Sequence, residues 1–355
     1  MQKKIVYLMH VDWDWIKQRP HFLAEKLHEK YDINVFYALS RDRKVMTANP
    51  TSIKTSPIVT LPFKKISFIR NVNKLLQKII YWFVLEQMKP DIVWITHPSL
   101  HDYLPRKKLS KFKVVYDCMD DVLGFSNTPQ AKKALDESEK RLFEDSEVVF
   151  VSSEHLQNQI VNRGCRREKT CLVRNGYNGD IIQPIKVPEN KKVFSLTYVG
   201  TISNWVNFDI ILNSLDEFDN IEYHFYGPIE CKVPNNSRII FHGPVKHSEI
   251  YETIKDSDCL IMPFKINDLI LSVDPVKLYE YVNFNKNIIT VYYEEIERFG
   301  DYVHFYRDNN EYLEVLRDLI ENNNLKYNEE SRYEFLVNNT WDKRTEVIID
   351  KLESI

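Results

Sequence analysis

The chain has 355 residues, 43% of them hydrophobic and 28% charged, and its formal net charge is −3. These values are typical of a globular protein, and they exclude low-complexity, collagen-like and largely disordered chains. They also argue against a general binder of nucleic acids, and the length predicts about two domains.

Strands and helices alternate along the first half of the chain. Short apolar runs predict buried parallel strands, and segments with a helical apolar period predict helices between them. The predicted strands are residues 3–10, 33–39, 52–63, 91–97, 112–120, 148–153 and 171–176, and the predicted helices are residues 21–30, 66–88, 130–144 and a segment after residue 153. This alternation indicates βαβ crossovers and a doubly wound sheet.

The segment 177–193 contains Gly179, Pro184 and Pro188 and has little periodicity, which predicts a linker between domains. The alternation then starts again, with strands predicted at residues 194–200, 221–227, 238–245, 259–264 and 287–292 and helices near 206–216, 247–257, 275–284, 309–322 and 341–353. The sequence therefore predicts an α/β protein of two doubly wound Rossmann-like domains that face a cleft. Ligands are expected at the carboxyl ends of the strands, in that cleft.

The two halves of the chain differ in charge. Residues 1–180 hold 30 Lys and Arg against 21 Asp and Glu, a net charge of +9, and the remaining residues carry −12. The basic half is suited to an anionic surface, and an uneven distribution of solvated charge without a function is the alternative.

The cysteines and the apolar segments of the sequence indicate the cellular compartment of the protein. Five cysteines without a CxxC pair predict neither a disulfide framework nor a zinc site. The N-terminal segment passes from two lysines straight into a strand, unlike a signal peptide. The longest strongly apolar run, Ile79–Leu85, is far too short to span a membrane. We therefore expect a cytoplasmic protein.

The most informative segment is the predicted helix start at residues 274–281, DPVKLYEY. Asp274 is a favourable N-cap residue, and Pro275 suits the first helical position. Lys277 lies in the first turn, where the helix dipole attracts anions, and Glu280 follows on the same face. A cation beside a carboxylate suits the diphosphate and ribose of a nucleotide. An ordinary amphipathic helix with a Lys–Glu pair is the alternative.

This segment, DPVKLYEYVNFNKNIIT, resembles the "P-x-K-x-x-E-Y" segment of GT-B glycosyltransferases in the glycosyltransferase 4 group. The start of the chain, HVDWDWIKQRPHFLAEKL, is similar to the opening of teichuronic-acid-type and capsule-type members. Other similar segments follow in the family's order: VVYDCMDD, VSSEHL, VRNGYN, YVGTISNWVNFD, FHGPVKHSEIYETIKDSDCLIMPF and NNTWDKR. The resemblance implies the GT-B fold and sugar transfer from a nucleotide-sugar, with a UDP-sugar as the expected donor.

The resemblance also implies that the two domains bind different substrates. Residues 1–180 would bind the acceptor, residues 181–355 would bind the nucleotide-sugar, and the last helix would cross back to the first domain. Donor-binding residues are expected at Gly200, Thr201, Ser203, Tyr226, Gly227, Ser272, Lys277, Leu278 and Glu280. No metal or cofactor is expected, because GT-B enzymes generally work without one.

Two positions depart from the family pattern. Retaining members usually carry two glutamates separated by seven residues; Glu280 matches the second, whereas Ser272 occupies the first. The arginine that often follows the glycine matching Gly200 is also missing, so the hydroxyls of Thr201 and Ser203 are expected to do part of its work. These departures leave the donor sugar and the anomeric outcome open.

In the first half, candidate acceptor and catalytic groups lie at the ends of the predicted strands. The loop with Asp12, Trp13, Trp15 and Arg19 combines aromatic and polar side chains, which suits stacking on a sugar and hydrogen bonding to its hydroxyls. A packed loop with Arg19 bonded to a carbonyl at a helix end is the alternative. The resemblance places His97 near the donor sugar, although a lone histidine is more often structural.

Three carboxylates, Asp117, Asp120 and Asp121, lie within five residues, where they raise one another's proton affinity. A carboxylate at the end of a strand is suited to act as general base for an acceptor hydroxyl. Asp120 is the first candidate for this base and Asp121 is the second. N-capping of the next segment is the structural alternative for either.

Residues 61–89 hold six basic residues against one acid, Glu86, with aromatic residues between them. The basic residues are Lys64, Lys65, Arg70, Lys74, Lys78 and Lys89. This composition is typical of an amphipathic surface that binds anionic lipid headgroups, which a lipid-linked acceptor would make useful. A core helix with a solvated basic face is the alternative.

The sequence thus predicts a cytoplasmic glycosyltransferase that acts on a hydroxyl of a glycan, expected to be lipid-linked, in bacterial surface polysaccharide synthesis. Residues 61–89 extend this prediction to a peripheral membrane protein. Two alternatives stay open. One is a GT-B sugar-nucleotide epimerase, which needs no acceptor surface; the other is a non-catalytic scaffold, which the missing glutamate at Ser272 would allow.

Overall fold

The computed structural model describes residues 2–15, 17–39, 51–61, 66–125, 128–183, 192–246 and 249–355. The chain divides into two compact units, which we call unit 1 and unit 2. Unit 1 comprises Met1–Asn175 together with Trp341–Ile355, and unit 2 comprises Gly176–Thr340. The sequence had placed the division at residue 180, so the structure divides the chain five residues earlier.

Unit 1 is built on a seven-stranded parallel sheet with the order β3-β2-β1-β4-β5-β6-β7. Its strands are β1 Lys4–Met9, β2 Asp32–Ala38, β3 Lys54–Ile58, β4 Ile92–Ile95, β5 Lys113–Cys118, β6 Ser146–Val151 and β7 Thr170–Leu172. The order of strands reverses between β1 and β4, and this reversal is where open α/β sheets usually bind ligands.

The helices of unit 1 are α1 Arg19–His28, α2 Ser67–Met88, α3 Pro98–His101, α4 Pro129–Asp145, α5 Glu154–Asn162 and, from the end of the chain, α12 Trp341–Glu353. Helices α4 and α5 begin where hydroxyl side chains accept a backbone N–H three residues ahead. Thr128 accepts from Ala131, and Ser153 accepts from Leu156.

The core of unit 1 is rich in aromatic side chains. Trp94 stacks on Tyr7 and on Phe150, with ring centroids 5.5 Å and 5.3 Å apart, and so joins three strands of the sheet. Trp341 at the start of α12 stacks on Phe22 of α1 at 5.2 Å. The C-terminal helix therefore contributes directly to the core of unit 1.

Unit 2 is built on a six-stranded parallel sheet with the order β10-β9-β8-β11-β12-β13. Its strands are β8 Phe194–Val199, β9 Ile221–Tyr226, β10 Ile239–Gly243, β11 Cys259–Met262, β12 Asn287–Val291 and β13 His304–Tyr306. The strand order reverses between β8 and β11, as it does between β1 and β4 in unit 1.

The helices of unit 2 are α6 Phe208–Glu217, α7 Ile250–Ile254, α8 Asp268–Leu271, α9 Val276–Asn283, α10 Asn309–Asn322 and α11 Glu329–Asn338. The described part of the predicted linker packs within this unit. Tyr177 is buried, its N–H donates to Asn339 O at 2.7 Å, and its hydroxyl donates to Asp180 O at 2.6 Å. Residues 184–191 of that segment lie outside the described residues.

The prediction of two doubly wound parallel-sheet α/β units is confirmed. Every predicted strand has a counterpart in the structure. Strand β13 and the helices α3, α8 and α11 were not predicted.

Candidate functional site

A pocket of about 520 Å³ lies at the strand reversal of unit 1. Residues from the carboxyl ends of four neighbouring strands, β2, β1, β4 and β5, line it. Its polar lining residues are His10, Asp12, Gln18, Thr96, His97 and Asp120. The pocket therefore lies where open parallel α/β sheets usually bind their ligands.

The Asp120 side chain lines this pocket and is half-buried. Its carboxylate forms no hydrogen bond or ion pair with any residue that the structure describes. Burial, together with the neighbouring charges of Asp117 and Asp121, raises the pKa of Asp120 to about 7, against the opposing effect of Arg19. A carboxylate that titrates near neutral pH inside a pocket is suited to general base chemistry.

Asp121 and Asp117, the other members of the predicted cluster, are buried in ion pairs. Asp121 accepts from Arg163 Nη1 at 2.9 Å and from the Leu123 N–H at 3.3 Å. Asp117 accepts from Arg19 at 2.9 Å. The geometry therefore separates Asp120 from its neighbours and makes Asp121 the weaker candidate for the base.

His97 also lines the pocket, and it caps the first turn of α3. Its Nδ1 accepts the Ser99 N–H at 3.3 Å, which leaves the ring proton of the neutral imidazole on Nε2. Burial lowers the pKa of His97 to about 4, so the ring is a neutral hydrogen-bond donor at pH 7.

His10 and Thr96 are pocket residues that the sequence analysis did not select. The ring of His10 lies 5.0 Å from that of His97, and its Nδ1 is 2.8 Å from Thr96 Oγ1. Both residues lie at the ends of predicted strands, so the rule that selected Asp120 and His97 would also have found them.

The predicted acceptor-binding loop is more deeply packed than expected. Asp12 and Trp13 are buried, and Trp15 is half-buried. Arg19 is 3% exposed, and its Nη1 donates to Val173 O at 2.7 Å. Of the four residues expected to meet an acceptor, the structure places only Asp12 in the lining of the pocket. The carbonyl that Arg19 bonds follows strand β7 rather than ending a helix, and Arg19 also pairs with Asp117.

In unit 2, glycines form the turns at the carboxyl ends of β8 and β9. Gly200 and Gly227 have φ values of 145° and 147°, a region that side chains rarely tolerate. A Cβ on Gly227 would lie 2.0 Å from the Gly200 carbonyl oxygen, so the two turns are in close contact. The turns require glycine because they pack against each other at the strand reversal.

The side chain of Lys277 lies against the turn at Gly200. A Cβ on Gly200 would approach Lys277 Cε to 2.2 Å and Nζ to 2.9 Å. Within the described residues the ammonium forms no hydrogen bond or ion pair. Burial lowers the pKa of Lys277, and nearby Glu280 opposes that change. The structure thus brings the Gly200 turn next to Lys277 of α9, which is far from it in sequence and lies one helical turn before Glu280.

The start of α9 differs from the prediction. Pro275 is the N-cap residue rather than the first helical residue, and Asp274 does not cap the helix. Asp274 is instead buried, where it pairs with Arg298 and lies 3.4 Å from the Tyr279 hydroxyl. The N-cap prediction was therefore wrong by one residue, and the ion pair of the Asp274 carboxylate with Arg298 was not predicted.

The other predicted donor-binding residues differ in how deeply they are buried. Leu278 lies in the core, and its N–H donates to Pro275 O at 3.1 Å. Ser272 is 1% exposed, and its hydroxyl donates to Asp268 O at 2.9 Å. Thr201 and Ser203 are half-buried beside the Gly200 turn. The two hydroxyls beside the turn are therefore better placed for a ligand than that of Ser272.

Tyr226 ends a row of stacked rings on β9 and β10. Its ring lies 4.2 Å from that of His242, nearly parallel, and His242 stacks in turn on His224 at 5.2 Å. The row continues through a 2.8 Å contact between His224 Nε2 and Glu222. The half-buried Tyr226 side chain thus offers a flat wall next to the Gly227 turn.

Helix α2 carries an apolar stripe toward solvent. Its large exposed side chains lie within roughly 120° of arc at 100° per residue. They are Phe68, Leu75, Leu76, Ile79, Trp82 and Phe83. Lys78 and Arg106 border a second pocket of about 450 Å³ beside this stripe. Lys64 and Lys65 lie outside the described residues.

Two features are absent from the described part of the chain. Across the described ranges, no helix is long and apolar enough to cross a membrane. In the same part of the chain, no group of three or more His, Cys, Asp or Glu side chains is placed to hold a metal ion.

No family model matches the chain. A curated Bacillus subtilis protein, TuaH, assigned by name to teichuronic acid biosynthesis as a glycosyltransferase, is 23% identical over 220 residues. The match covers 56% of this chain and 54% of TuaH, so it spans about half the length of that relative.

Solved structures are similar over nearly the whole chain. Anabaena HepE in complex with UDP and glucose has a TM-score of 0.74 at 13% identity, covering 100% of both chains. The lipopolysaccharide outer core galactosyltransferase WaaB in its apo form has a TM-score of 0.69 at 15% identity, covering 98% of this chain and 99% of its own. On these likenesses and on its two parallel sheets, the chain has the GT-B fold of glycosyltransferase structures.

Proposed function

We propose that the protein is a glycosyltransferase that moves a sugar from a nucleotide-sugar to a hydroxyl of a glycan in bacterial surface polysaccharide synthesis. The observation that carries the proposal is the side chain of Lys277, held against the Gly200 turn at the strand reversal of unit 2. The relation to TuaH supports the assignment to polysaccharide synthesis.

In this proposal unit 2 binds the donor. The Lys277 ammonium and the N–H groups at the start of α9 stabilise the diphosphate, whose negative charge grows as the sugar leaves. Glu280, three residues further on α9, accepts the ribose hydroxyls, and Tyr226 borders the nucleobase. UDP is the expected nucleotide, because HepE was solved with UDP.

Unit 1 supplies the acceptor site and the base. The Asp120 carboxylate takes the proton of the acceptor hydroxyl, a role that its pKa of about 7 favours. His97 offers its Nε2–H to an oxygen of the donor sugar. If the reaction retains configuration, the leaving phosphate can take the proton instead, and Asp120 is then dispensable.

The acceptor is expected to be lipid-linked, and the protein is expected to act at the cytoplasmic face of the membrane. The apolar stripe of α2 would enter the lipid headgroup region, while Lys74, Lys78 and Arg106 would meet anionic headgroups. The net positive charge of the first half of the chain favours the same orientation.

Isothermal calorimetry with UDP tests the donor site. Lys277→Ala should weaken binding by about 1.5–3 kcal/mol, the usual contribution of a charge-assisted hydrogen bond. Lys265→Ala is the matched control, because Lys265 is an exposed lysine of unit 2 that pairs with Asp209. It should bind UDP as the wild type does.

Glu280→Gln separates recognition of ribose from recognition of phosphate. The variant should lose more affinity for UDP than for deoxy-UDP, because only UDP carries the 2′-hydroxyl. Unchanged affinities in both Lys277→Ala and Glu280→Gln would refute the site. A wild-type protein that binds no nucleoside diphosphate at all would favour the scaffold alternative, and conversion of the bound sugar without transfer would favour the epimerase.

A further inference from the structure

The second pocket, of about 450 Å³, lies in unit 1 beside the apolar stripe of α2. Its apolar lining comes from Ile79 and Trp82 of α2 and from Leu104 and Pro105 of the loop after α3. None of the residues that line it also lines the pocket that contains Asp120. It is therefore a separate cavity, to which the proposed sugar transfer assigns no ligand.

Two cations line the second pocket. Lys78 lies on α2, and Arg106 is the first residue of the 3₁₀ helix Arg106–Lys111, so the two charges come from different elements. Both side chains are exposed. Within the described ranges, neither forms a hydrogen bond or an ion pair with another residue. Both are therefore available to an anion that enters the pocket.

The acidic residue of the pocket does not neutralise these cations. Asp102 is occupied by α4, because its Oδ1 accepts from Arg141 Nη2 at 2.7 Å and its Oδ2 accepts from Ser138 Oγ at 2.9 Å. The lining of the pocket thus offers two unpaired positive charges against one carboxylate that is already paired. This charge distribution suits an anionic group.

The indole of Trp82 is the largest apolar group of the pocket, and 43% of this side chain is exposed. Lys108 Nζ lies 4.5 Å from its ring centroid and also pairs with Glu86, so one face of the ring is covered by a cation that has its own partner. Aromatic rings with one apolar side and one wet side are enriched where proteins meet the surface of a membrane.

We propose that the second pocket binds the phosphate group of an anionic membrane phospholipid, with Lys78 and Arg106 on the phosphate and with Ile79 and Trp82 against the glycerol and acyl carbons. The membrane setting rests on the proposed function, which the inference deepens. A basic surface attracts every anionic membrane, whereas this pocket binds a single lipid molecule and becomes saturated.

The surface around the pocket favours a lipid over a soluble phosphate. Ile79 and Trp82 belong to the exposed stripe of α2, which continues back to Phe68 over about 20 Å at 1.5 Å per residue. A soluble phosphate would leave this apolar surface in water. A bilayer covers the stripe and presents phosphate groups at the same depth.

The second pocket and the pocket that contains Asp120 lie at opposite ends of α3. His97, which lines the pocket of Asp120, is the N-cap residue of this helix, and Asp102, which lines the second pocket, is its C-cap residue. Four helical residues span only about 6 Å. A phospholipid in the second pocket would hold this part of unit 1 at the membrane, where a lipid-linked acceptor arrives.

The experiment measures lipid binding to the full chain without a membrane. The probe is dihexanoyl phosphatidic acid below its critical micelle concentration, studied by isothermal calorimetry. Dihexanoyl phosphatidylcholine has the same chains on a zwitterionic headgroup, and inorganic phosphate is the anion without chains. Phosphatidic acid should saturate a single site and bind about tenfold or more tighter than either of the other two probes.

Single substitutions locate the site. Lys78→Gln and Arg106→Gln should each weaken the binding of phosphatidic acid about fivefold, the effect of one basic residue close to a lipid headgroup. Lys107→Gln is the matched control, because Lys107 is an exposed neighbour of Arg106 that does not line the pocket. It removes the same charge and should bind as the wild type does. All three side chains are exposed, so the melting temperatures of the variants should match.

Losses in Lys78→Gln and Arg106→Gln without a loss in Lys107→Gln would support the inference. Equal losses in all three would show a diffuse charge effect and overturn it, while co-sedimentation with liposomes would still decide the membrane proposal. Inorganic phosphate that binds as tightly as phosphatidic acid would reduce the pocket to an anion site without a lipid. Self-association through α2 without binding of phosphatidic acid would overturn the inference by assigning the stripe to a second copy of the chain.

Failure of the membrane proposal has a different signature. A wild type that binds phosphatidic acid in the second pocket but never binds anionic liposomes would keep the lipid site and refute action at the membrane.

Discussion

The unpaired carboxylate of Asp120 makes unit 1 less stable at high pH. Its pKa in the folded protein, about 7, lies above the ordinary value of an aspartate, so the folded state holds this proton more tightly than the unfolded state does. The sign follows directly. The protonated carboxyl of Asp120 favours the folded state in acid, and this stabilisation is lost progressively as the pH rises through about 7.

Asp120→Asn should therefore stabilise the protein while removing its activity. The neutral amide avoids the cost of a buried charge, so the melting temperature should rise by about 2–8 °C at pH 8 and by less at pH 5. Sugar transfer should fall about 10²–10⁴-fold with UDP affinity unchanged. Scanning calorimetry at the two pH values and initial-rate assays measure these effects.

Three outcomes would count against this account of Asp120. A lower melting temperature at pH 8 would show that the carboxylate is stabilising. Transfer within a few-fold of the wild type would eliminate Asp120 as the base. A wild-type rate that falls as the pH rises through 7 would contradict a base that must be ionised.

The residue scale also shows what the sequence could and could not predict. The cluster Asp117, Asp120 and Asp121 was visible because all three lie close to the end of one predicted strand. Which of them is left unpaired depends on Arg19 and Arg163, which lie 98 and 42 residues away in sequence from their partners. Pairing over such distances leaves no local pattern, so only the structure could separate Asp120 from Asp121.

At the scale of elements, the turns that end β8 and β9 carry the candidate donor site. Gly227→Ala should damage both the fold of unit 2 and its ligand binding. The new Cβ would meet the backbone of Gly200 at 2.0 Å, and a backbone atom cannot swing aside as a side chain can. We expect a loss of about 3 kcal/mol or more in unfolding free energy, together with weaker UDP binding.

Gly243→Ala is the control for the Gly227 prediction. Gly243 also has a positive φ, of 78°, but an added Cβ meets nothing within 4 Å. The unfolding free energy of this variant should fall by only about 1 kcal/mol, which is the cost of a side chain at a positive φ. Chemical denaturation of both variants provides the comparison, and equal losses would show that the contact between the two turns is unimportant.

Helix α2 provides a second prediction at this scale. Lys74→Gln/Lys78→Gln should weaken the binding free energy for anionic liposomes, measured by co-sedimentation, by about 1 kcal/mol per residue. High salt should reproduce the effect. Lys132→Gln/Lys133→Gln on α4 is the control, because it removes the same charge from another exposed site. Equal losses in the two double variants would indicate a general charge effect, and a wild type that never binds such liposomes would refute the membrane proposal.

Elements were predictable where an apolar pattern repeats, and length alone did not decide this. Helix α11 has ten residues, but only Arg332 and Leu336 of them are buried, and it was not predicted. Strand β13 has three residues, and helices α3 and α8 have four each, which is too few for an apolar pattern to repeat. Their positions are set by the neighbours they pack against, such as His97, whose side chain caps α3.

At the scale of the whole molecule, the chain returns to its first unit at its end. Helix α12 lies more than 300 residues from α1 in sequence, yet Trp341, Ile348 and Leu352 are buried in the core of unit 1. The amphipathic pattern of residues 341–353 predicted a helix, but it carried no information about the unit that the helix would join. The resemblance to GT-B proteins did, because it implied a last helix that crosses back to the first domain.

Trp341→Ala should therefore destabilise unit 1 and leave the donor site of unit 2 intact. Trp341 is 1% exposed and stacks on Phe22, so its truncation opens a cavity that costs about 3–5 kcal/mol. Hydrogen exchange measured by mass spectrometry should accelerate in peptides of residues 1–175, whereas peptides of residues 176–340 and the UDP affinity should keep their wild-type values. Val347→Ala on the same helix is the control, because Val347 is 47% exposed and its loss should change exchange little. Faster exchange across residues 176–340, or a loss of UDP affinity in Trp341→Ala, would contradict this prediction. Either result would show that α12 stabilises the donor site of unit 2 as well as the core of unit 1.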